Sequence, residues 1–217
     1  MKERFKTILK QGEAEIIEKK SSFIATTRPV ATEEEAKAFI EEMKKKYWNA
    51  THNVFAYQIG DNNELQRFSD DGEPQGSAGI PVLNILRTEE IKNAAVVVTR
   101  YFGGTLLGTG GLVRAYGKAA KEGLLAAGIV EKIRYVMFHI ETNYSDSGKV
   151  QYELMQGGYV LYDTVYTNMV EFIVLVEKPM QDAFIKHMTE ITKGQAEILE
   201  DGECLGTWVN DELKVEV

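Results

Sequence analysis

Ala94-Ala95-Val96-Val97-Val98-Thr99-Arg100-Tyr101-Phe102-Gly103-Gly104-Thr105-Leu106-Leu107-Gly108-Thr109-Gly110-Gly111 is the stretch that decides the fold of the first half of this chain. It opens as a continuous apolar run rich in valine, the pattern of a strand buried at the centre of a sheet. Five glycines between Gly103 and Gly111 end that strand, and Leu112 to Ala127 then reads as a helix closed by Gly128. Glycine admits positive φ and lets a ligand approach the backbone closely. The start of the helix offers unpaired N–H groups and a partial positive charge, a setting in which phosphates commonly bind. Two phosphate motifs fail here. A Walker A loop needs Gly-Lys-Ser/Thr, whereas Thr109 follows Gly108; a dinucleotide fingerprint needs a third glycine where Val113 stands.

Outward from this stretch the first half reads as alternating strands and helices. Gly12–Glu18 and Ser22–Val30 have strand character. Thr32 with Glu35 forms a capping box for a helix reaching Tyr47. Asn53–Gly60 alternates, with Val54, Ala56 and Gln58 on one side, and a further strand spans Leu65–Phe68. A loop from Ser69 to Gly79 leads to a short helix, with Pro81 near its start, that ends near Thr88. The second half gives strand Ile133–Thr142, helix Ser145–Gly157, a hairpin of Tyr159–Tyr166 and Met169–Glu177, a helix opened by Pro179, and strand Ala196–Val209 broken near Asp201-Gly202. That order is βαββαβ, the ferredoxin-like arrangement. The expected class is α+β, with an N-terminal α/β domain over 1–132 and a C-terminal ferredoxin-like domain over 133–217.

The charge divides at the same place. Residues 1–135 carry 20 Lys and Arg against 18 Asp and Glu, a balance of +2; residues 136–217 carry 5 against 15, a balance of −10. An acidic second domain repels nucleic acid and suits a basic protein partner, so a polyanion site belongs to the first half. One cysteine, Cys204, excludes an internal disulfide, and it has no basic neighbour to activate it. Met1–Lys10 lacks an apolar signal core, and runs such as Ala94–Val98 are too short to span a bilayer. The expected location is the cytoplasm, without membrane association.

Candidate site residues cluster around the glycine turn. Arg100 and Arg114 bracket it, Lys118 lies at i+4 from Arg114, and together they are suited to phosphate oxygens. Gly103, Gly104, Gly108, Gly110 and Gly111 supply the backbone approach; Tyr101 and Tyr116 offer stacking surfaces for bases, or else core packing. In the loop before Gly79, Asp70, Asp71 and Glu73 are three carboxylates in four residues. They are candidates for cation binding or acid–base work, or for pairing with Arg100 or Arg114 and orienting it. Their spacing is not that of an EF-hand, and no cofactor or metal is expected. Ser77 suits a phosphate contact or a cap, and with His52 and Asp70 or Asp71 it is a formal hydrolytic triad. His139 and His187 lack metal-ligand spacing.

These residues together resemble the IMPACT family. The resemblance is carried by Lys20-Ser21-Ser22-Phe23-Ile24-Ala25, by Asp70-Asp71-Gly72-Glu73-Pro74 with Gly76, Ala78 and Gly79, by Val82-Leu83, Leu86 and Ile91, by Val97-Val98 and Arg100-Tyr101-Phe102-Gly103-Gly104 with Leu107-Gly108, and by Gly110-Gly111-Leu112-Val113-Arg114-Ala115-Tyr116. It covers essentially the whole chain in the bacterial two-domain form. It implies a first domain like the second domain of a small-subunit ribosomal protein and a second like domain V of elongation factor G, both pointing to RNA or the ribosome. Eukaryotic members restrain a translation-control kinase through an added N-terminal domain; no such domain is expected here, and the kinase role is not carried over. The first expectation is therefore a non-enzymatic RNA- or ribosome-binding protein linked to regulation of translation. Its rivals are an enzyme acting on a small phosphorylated or peptide substrate through Asp70, Asp71, Glu73 and His52 or Ser77, and a protein-interaction module.

Overall fold

The valine run sits in the middle of a five-stranded antiparallel sheet in the computed structural model, which describes residues 3–216. The first of two compact units, residues 1–131, runs β1 (Arg4–Ile8), β2 (Gly12–Glu18), β3 (Ser21–Pro29), α1 (Glu33–Lys46), β4 (His52–Ile59), β5 (Leu65–Ser69), α2 (Gly79–Thr88), β6 (Ala94–Tyr101) and α3 (Thr109–Ala127). The sheet order is β2-β3-β6-β4-β5, with each neighbouring pair antiparallel. β3 and β4 are joined through α1 yet flank β6, and β5 and β6 are joined through α2 yet flank β4. Each connection is a split crossover, so a strand buried on both faces arises here without a parallel sheet.

Alternate residues of β6 serve two cores. Val96 and Val98 pack with Phe23, Val54, Leu86 and Tyr116 under α2 and α3. Ala95 and Val97 pack with Phe39, Ile40 and Met43 of α1 on the other face. Helix α1 begins as its sequence requires: the Thr32 hydroxyl accepts the Glu35 amide at 3.2 Å. The Glu35 carboxylate reaches back to the Ala31 amide, 2.6 Å away, one residue beyond the cap itself. Gly123 of α3 lets that helix settle on β3, where a side chain would press on Ala25 Cβ at 2.9 Å and Thr27 Cγ2 at 3.1 Å.

The second unit, residues 132–217, contains most of β7 (Ile129–Thr142), then α4 (Tyr144–Gln156), β8 (Val160–Tyr166), β9 (Val170–Glu177), α5 (Gln181–Thr192), β10 (Glu197–Val209) and β11 (Glu212–Glu216). Strand order β10-β7-β9-β8, all antiparallel, is the ferredoxin-like sheet, extended at one edge by β11. Phe138 and Ile140 face Leu154, Phe184 and Met188 of the helices. Pro179 lies in a single 3₁₀ turn, Lys178–Met180, ahead of α5 rather than in its first turn. The expected break in the last long strand is a bulge between Glu200 and Glu203, with Gly202 at φ +94°. Among the described residues no helix is long and apolar enough to cross a membrane.

Gly123→Val should destabilise the protein by about 1–3 kcal/mol through overpacking against β3, read as a lower urea midpoint at unchanged slope. In the second unit His139 stands between Glu171, 2.7 Å from Nδ1, and Asp201, 3.3 Å from Nε2. The Glu171 hydrogen bond, with help from Asp201, raises its pKa above the ordinary imidazole value. A raised pKa gives stability that is full below the unfolded value of about 6.5 and lost as pH rises through the folded one. Wild type should therefore exceed His139→Gln in urea midpoint at about pH 6, and the gap should close on titration upward.

Candidate functional site

The loop between β5 and α2 is organised by its own carboxylates. Asp70 accepts the amides of Gly76, Ala78 and Gly79 at 2.8, 3.1 and 2.8 Å, closing the loop and capping α2. Asp71, at φ +46°, takes the Asn53 amide on Oδ2 at 2.6 Å, and its carbonyl oxygen lies 2.7 Å from His52 Nδ1. A carbonyl only accepts, so Nδ1 donates, and Nε2 faces Glu73 Oε2 at 3.8 Å. Ser77 is fully buried and donates to the Pro74 carbonyl at 2.6 Å. Ser77 and Asp70 are thus spent on the loop and do not assemble with His52 into a triad.

Glu73 turns inward. Its Oε1 receives Arg100 Nη1 at 2.5 Å and the Tyr116 hydroxyl at 2.7 Å. Both members of the ion pair are buried, with side chains 4% and 6% exposed. Arg100 also reaches Ser21 Oγ at 3.5 Å and lies 5.3 Å over the Phe23 ring and 5.6 Å from that of Phe102, while its Nε has no hydrogen-bond partner. Of the alternatives open to the acidic loop, the one in which a carboxylate orients Arg100 is the one the geometry contains. Tyr116 is core, edge-on to Phe23 at 5.1 Å, and burial followed by the Glu73 carboxylate drives its hydroxyl far above the usual tyrosine range. It offers no stacking surface. Tyr101 is half-buried and donates to Asn49 at 3.0 Å.

The glycine turn divides into three parts. Gly103 donates to Ser21 Oγ at 3.1 Å and lies so close to the Lys20 backbone that a side chain would overlap it. Gly104 and Gly108 hold φ +81° and +70° beside open space, and Gly108 starts α3 without a side-chain cap. Gly110 and Gly111 are already in the helix, Gly111 packed on Leu107.

Two hollows flank this turn. One, about 440 Å³, has Glu73, His52 and Arg100 together with apolar Phe102, Leu106 and Leu112 in its lining. The other, about 220 Å³, is lined by Glu18, Lys19, Leu107, Gly111, Arg114 and Lys118. Leu107 belongs to both. Arg100 and Arg114 therefore do not converge: the first is neutralised in the interior, and the second is exposed with Lys118 and Lys19. Lys19 is the functional candidate that sequence reading missed, because only the β2–β3 turn, with Lys19 and Lys20 at φ +46° and +71°, carries it to α3. Among the described residues no group of three His, Cys, Asp or Glu is placed to hold a metal ion. Cys204 is buried, which pushes its thiol up and away from reactivity.

The architecture is that of a two-unit α+β protein whose first unit carries a hollow over a buried Glu–Arg pair beside a helix N-terminus. A model of the Impact N-terminal domain matches residues 19–124, and one of a domain of unknown function (DUF1949) matches residues 140–195. A Bacillus subtilis protein described as an IMPACT family member is 45% identical over 89% of this chain and 89% of its own. The mouse protein IMPACT is 38% identical over 43% of this chain and 30% of its own. A solved structure titled as that of a hypothetical protein superposes with TM-score 0.59 at 29% identity, covering 92% of this chain and 98% of that one. The chain belongs to the IMPACT family.

Removing one partner of the buried pair strands the other charge. Glu73→Gln should cost about 3–5 kcal/mol, measured by urea denaturation. Replacing Glu73 and Arg100 together by apolar residues should cost clearly less than the sum of the single changes.

Proposed function

We propose that this protein binds RNA, free or within the ribosome, through the face of the first unit formed by α3 and the β2–β3 turn, and that it acts without catalysis in the regulation of translation. The observation that carries this reading is the second hollow, where Lys19, Arg114 and Lys118 converge with one acid, Glu18. None of the three cations has an ion-pair partner among the described residues. Neighbouring Lys121 is by contrast paired with Glu89 at 2.9 Å. Free cations around a shallow concavity are what phosphate oxygens select, and their contribution falls with salt. Exposed Phe102 and Leu106 beside this face supply surface against which unstacked bases pack. The −10 balance of residues 136–217 directs a polyanion to the first unit. Family membership supports the link to translation.

Arg100 drops out of the contact set, since its charge is met by Glu73 in the interior. The informative variant is Arg114→Ala with Lys118→Ala. It should weaken binding of a single-stranded RNA and flatten the plot of log affinity against log salt by about 1.4, two phosphate contacts at ~0.7 each. Unchanged affinity and slope would reject the assignment.

A further inference from the structure

We infer that Trp48 is a stacking platform for an unpaired base, and that the RNA path runs from the cations beside α3 across one end of the five-stranded sheet to this residue. The inference rests on the RNA reading above and fixes the ligand as single-stranded.

Trp48 is 81% exposed and makes no hydrogen bond or ring contact among the described residues. A side chain this large adds little to the core when it stands in the open, and an aromatic face of this kind takes an unstacked base whatever its identity. The loop beneath it, from α1 to β4, is pinned to the end of β6. The Thr51 amide donates to the Arg100 carbonyl at 2.9 Å, the Phe102 amide donates to the Thr51 hydroxyl at 3.1 Å, and the Tyr101 hydroxyl donates to Asn49 Oδ1 at 3.0 Å. The Ala50 amide closes the turn onto the Tyr47 carbonyl at 3.0 Å. The indole is thus carried on backbone that is already ordered, which leaves little ordering cost when a ligand lands on it.

Its neighbours fit the same ligand. Tyr101 lies opposite Ser22 and Arg100 opposite His52, so the β2–β3 turn, the glycine turn and the Trp48 loop share one end of the sheet. Phe102 and Leu106 are also exposed at that end. One exposed apolar residue needs no explanation, but three along a single edge form a surface. Cations stand on both flanks. Lys20 in the β2–β3 turn and Lys45 in the last turn of α1 are exposed and have no ion-pair partner among the described residues. Lys44 and Lys46 are by contrast taken by Glu41 and Glu13. Only β6 separates β3 from β4, so about 10 Å divides the strand ends that carry Lys20 and the Trp48 loop, within reach of a short stretch of RNA. Bare cations alternating with exposed aromatic and aliphatic faces match the alternation of phosphate and base in a single strand. A duplex hides its base faces and would meet the cations without Trp48.

The chain has two tryptophans, Trp48 and Trp208, so Trp208→Phe leaves Trp48 as the reporter in the full chain. Titration of that variant with a uridylate RNA octamer should quench Trp48 emission, and an octamer of base-free sugar phosphate should bind without quenching. In the otherwise native chain Trp48→Ala should weaken the RNA octamer roughly tenfold, the order of one lost base stack. The salt slope should stay as it was, since no phosphate contact is lost. The urea midpoint of Trp48→Ala should match wild type, and Trp48→Phe should recover most of the affinity. Octamer binding with a normal salt slope, no quench and no loss in Trp48→Ala would overturn the platform and leave the phosphate face standing. Failure to bind any RNA octamer would overturn both. A change in Trp48 emission that follows protein concentration rather than RNA would put a second copy of the chain on Trp48 and overturn the assignment.

Discussion

The buried Glu73–Arg100 pair is the constraint on which the first unit depends. It joins three parts of the chain that share no backbone pairing at that point: the β5–α2 loop, the centre of the sheet and, through Tyr116, helix α3. A pair this dry adds little net stability over apolar residues of the same shape, because desolvation offsets attraction. Its effect is to tie the loop to the sheet: the loop position that brings Glu73 to Arg100 also sets Asp71 against His52 and Asn53.

The same pair changes the meaning of the charges around the glycine turn. An arginine late in a strand beside five glycines reads as a phosphate ligand. Once Glu73 lies on it, that charge is met inside the protein. The free positive charge lies on the other side of Leu107. The two hollows therefore differ in charge, although they share a wall.

Elements with a strong local signal were legible in the sequence. Thr32 and Glu35 set the start of α1, Gly128 the end of α3, and Asp201-Gly202 the bulge in β10. Strands β1 and β11 were not: each is a five-residue segment rich in charge without an apolar run, although Asn210-Asp211, at φ +51° and +64°, mark the hairpin turn into β11. The location of the candidate site was read for a similar reason: glycines and carboxylates are dense on either side of one buried strand. Which cation each carboxylate meets was not. That depends on pairing across 27 residues between Glu73 and Arg100, and sequence spacing carries no record of it.

Glycine has two distinct uses in this turn. Gly103 is demanded by the fold, since the Lys20 backbone leaves no room for a side chain. Gly104 and Gly108 face open space, so crowding cannot explain them; their positive φ can. A backbone in that conformation turns sharply before α3 and leaves its first amides uncovered. A capping serine or aspartate at Gly108 would be strained at φ +70°, so the turn itself denies those amides a side-chain cap. The amides left to solvent at the rim of the larger hollow are therefore a consequence of the turn that carries the chain from the central strand into α3.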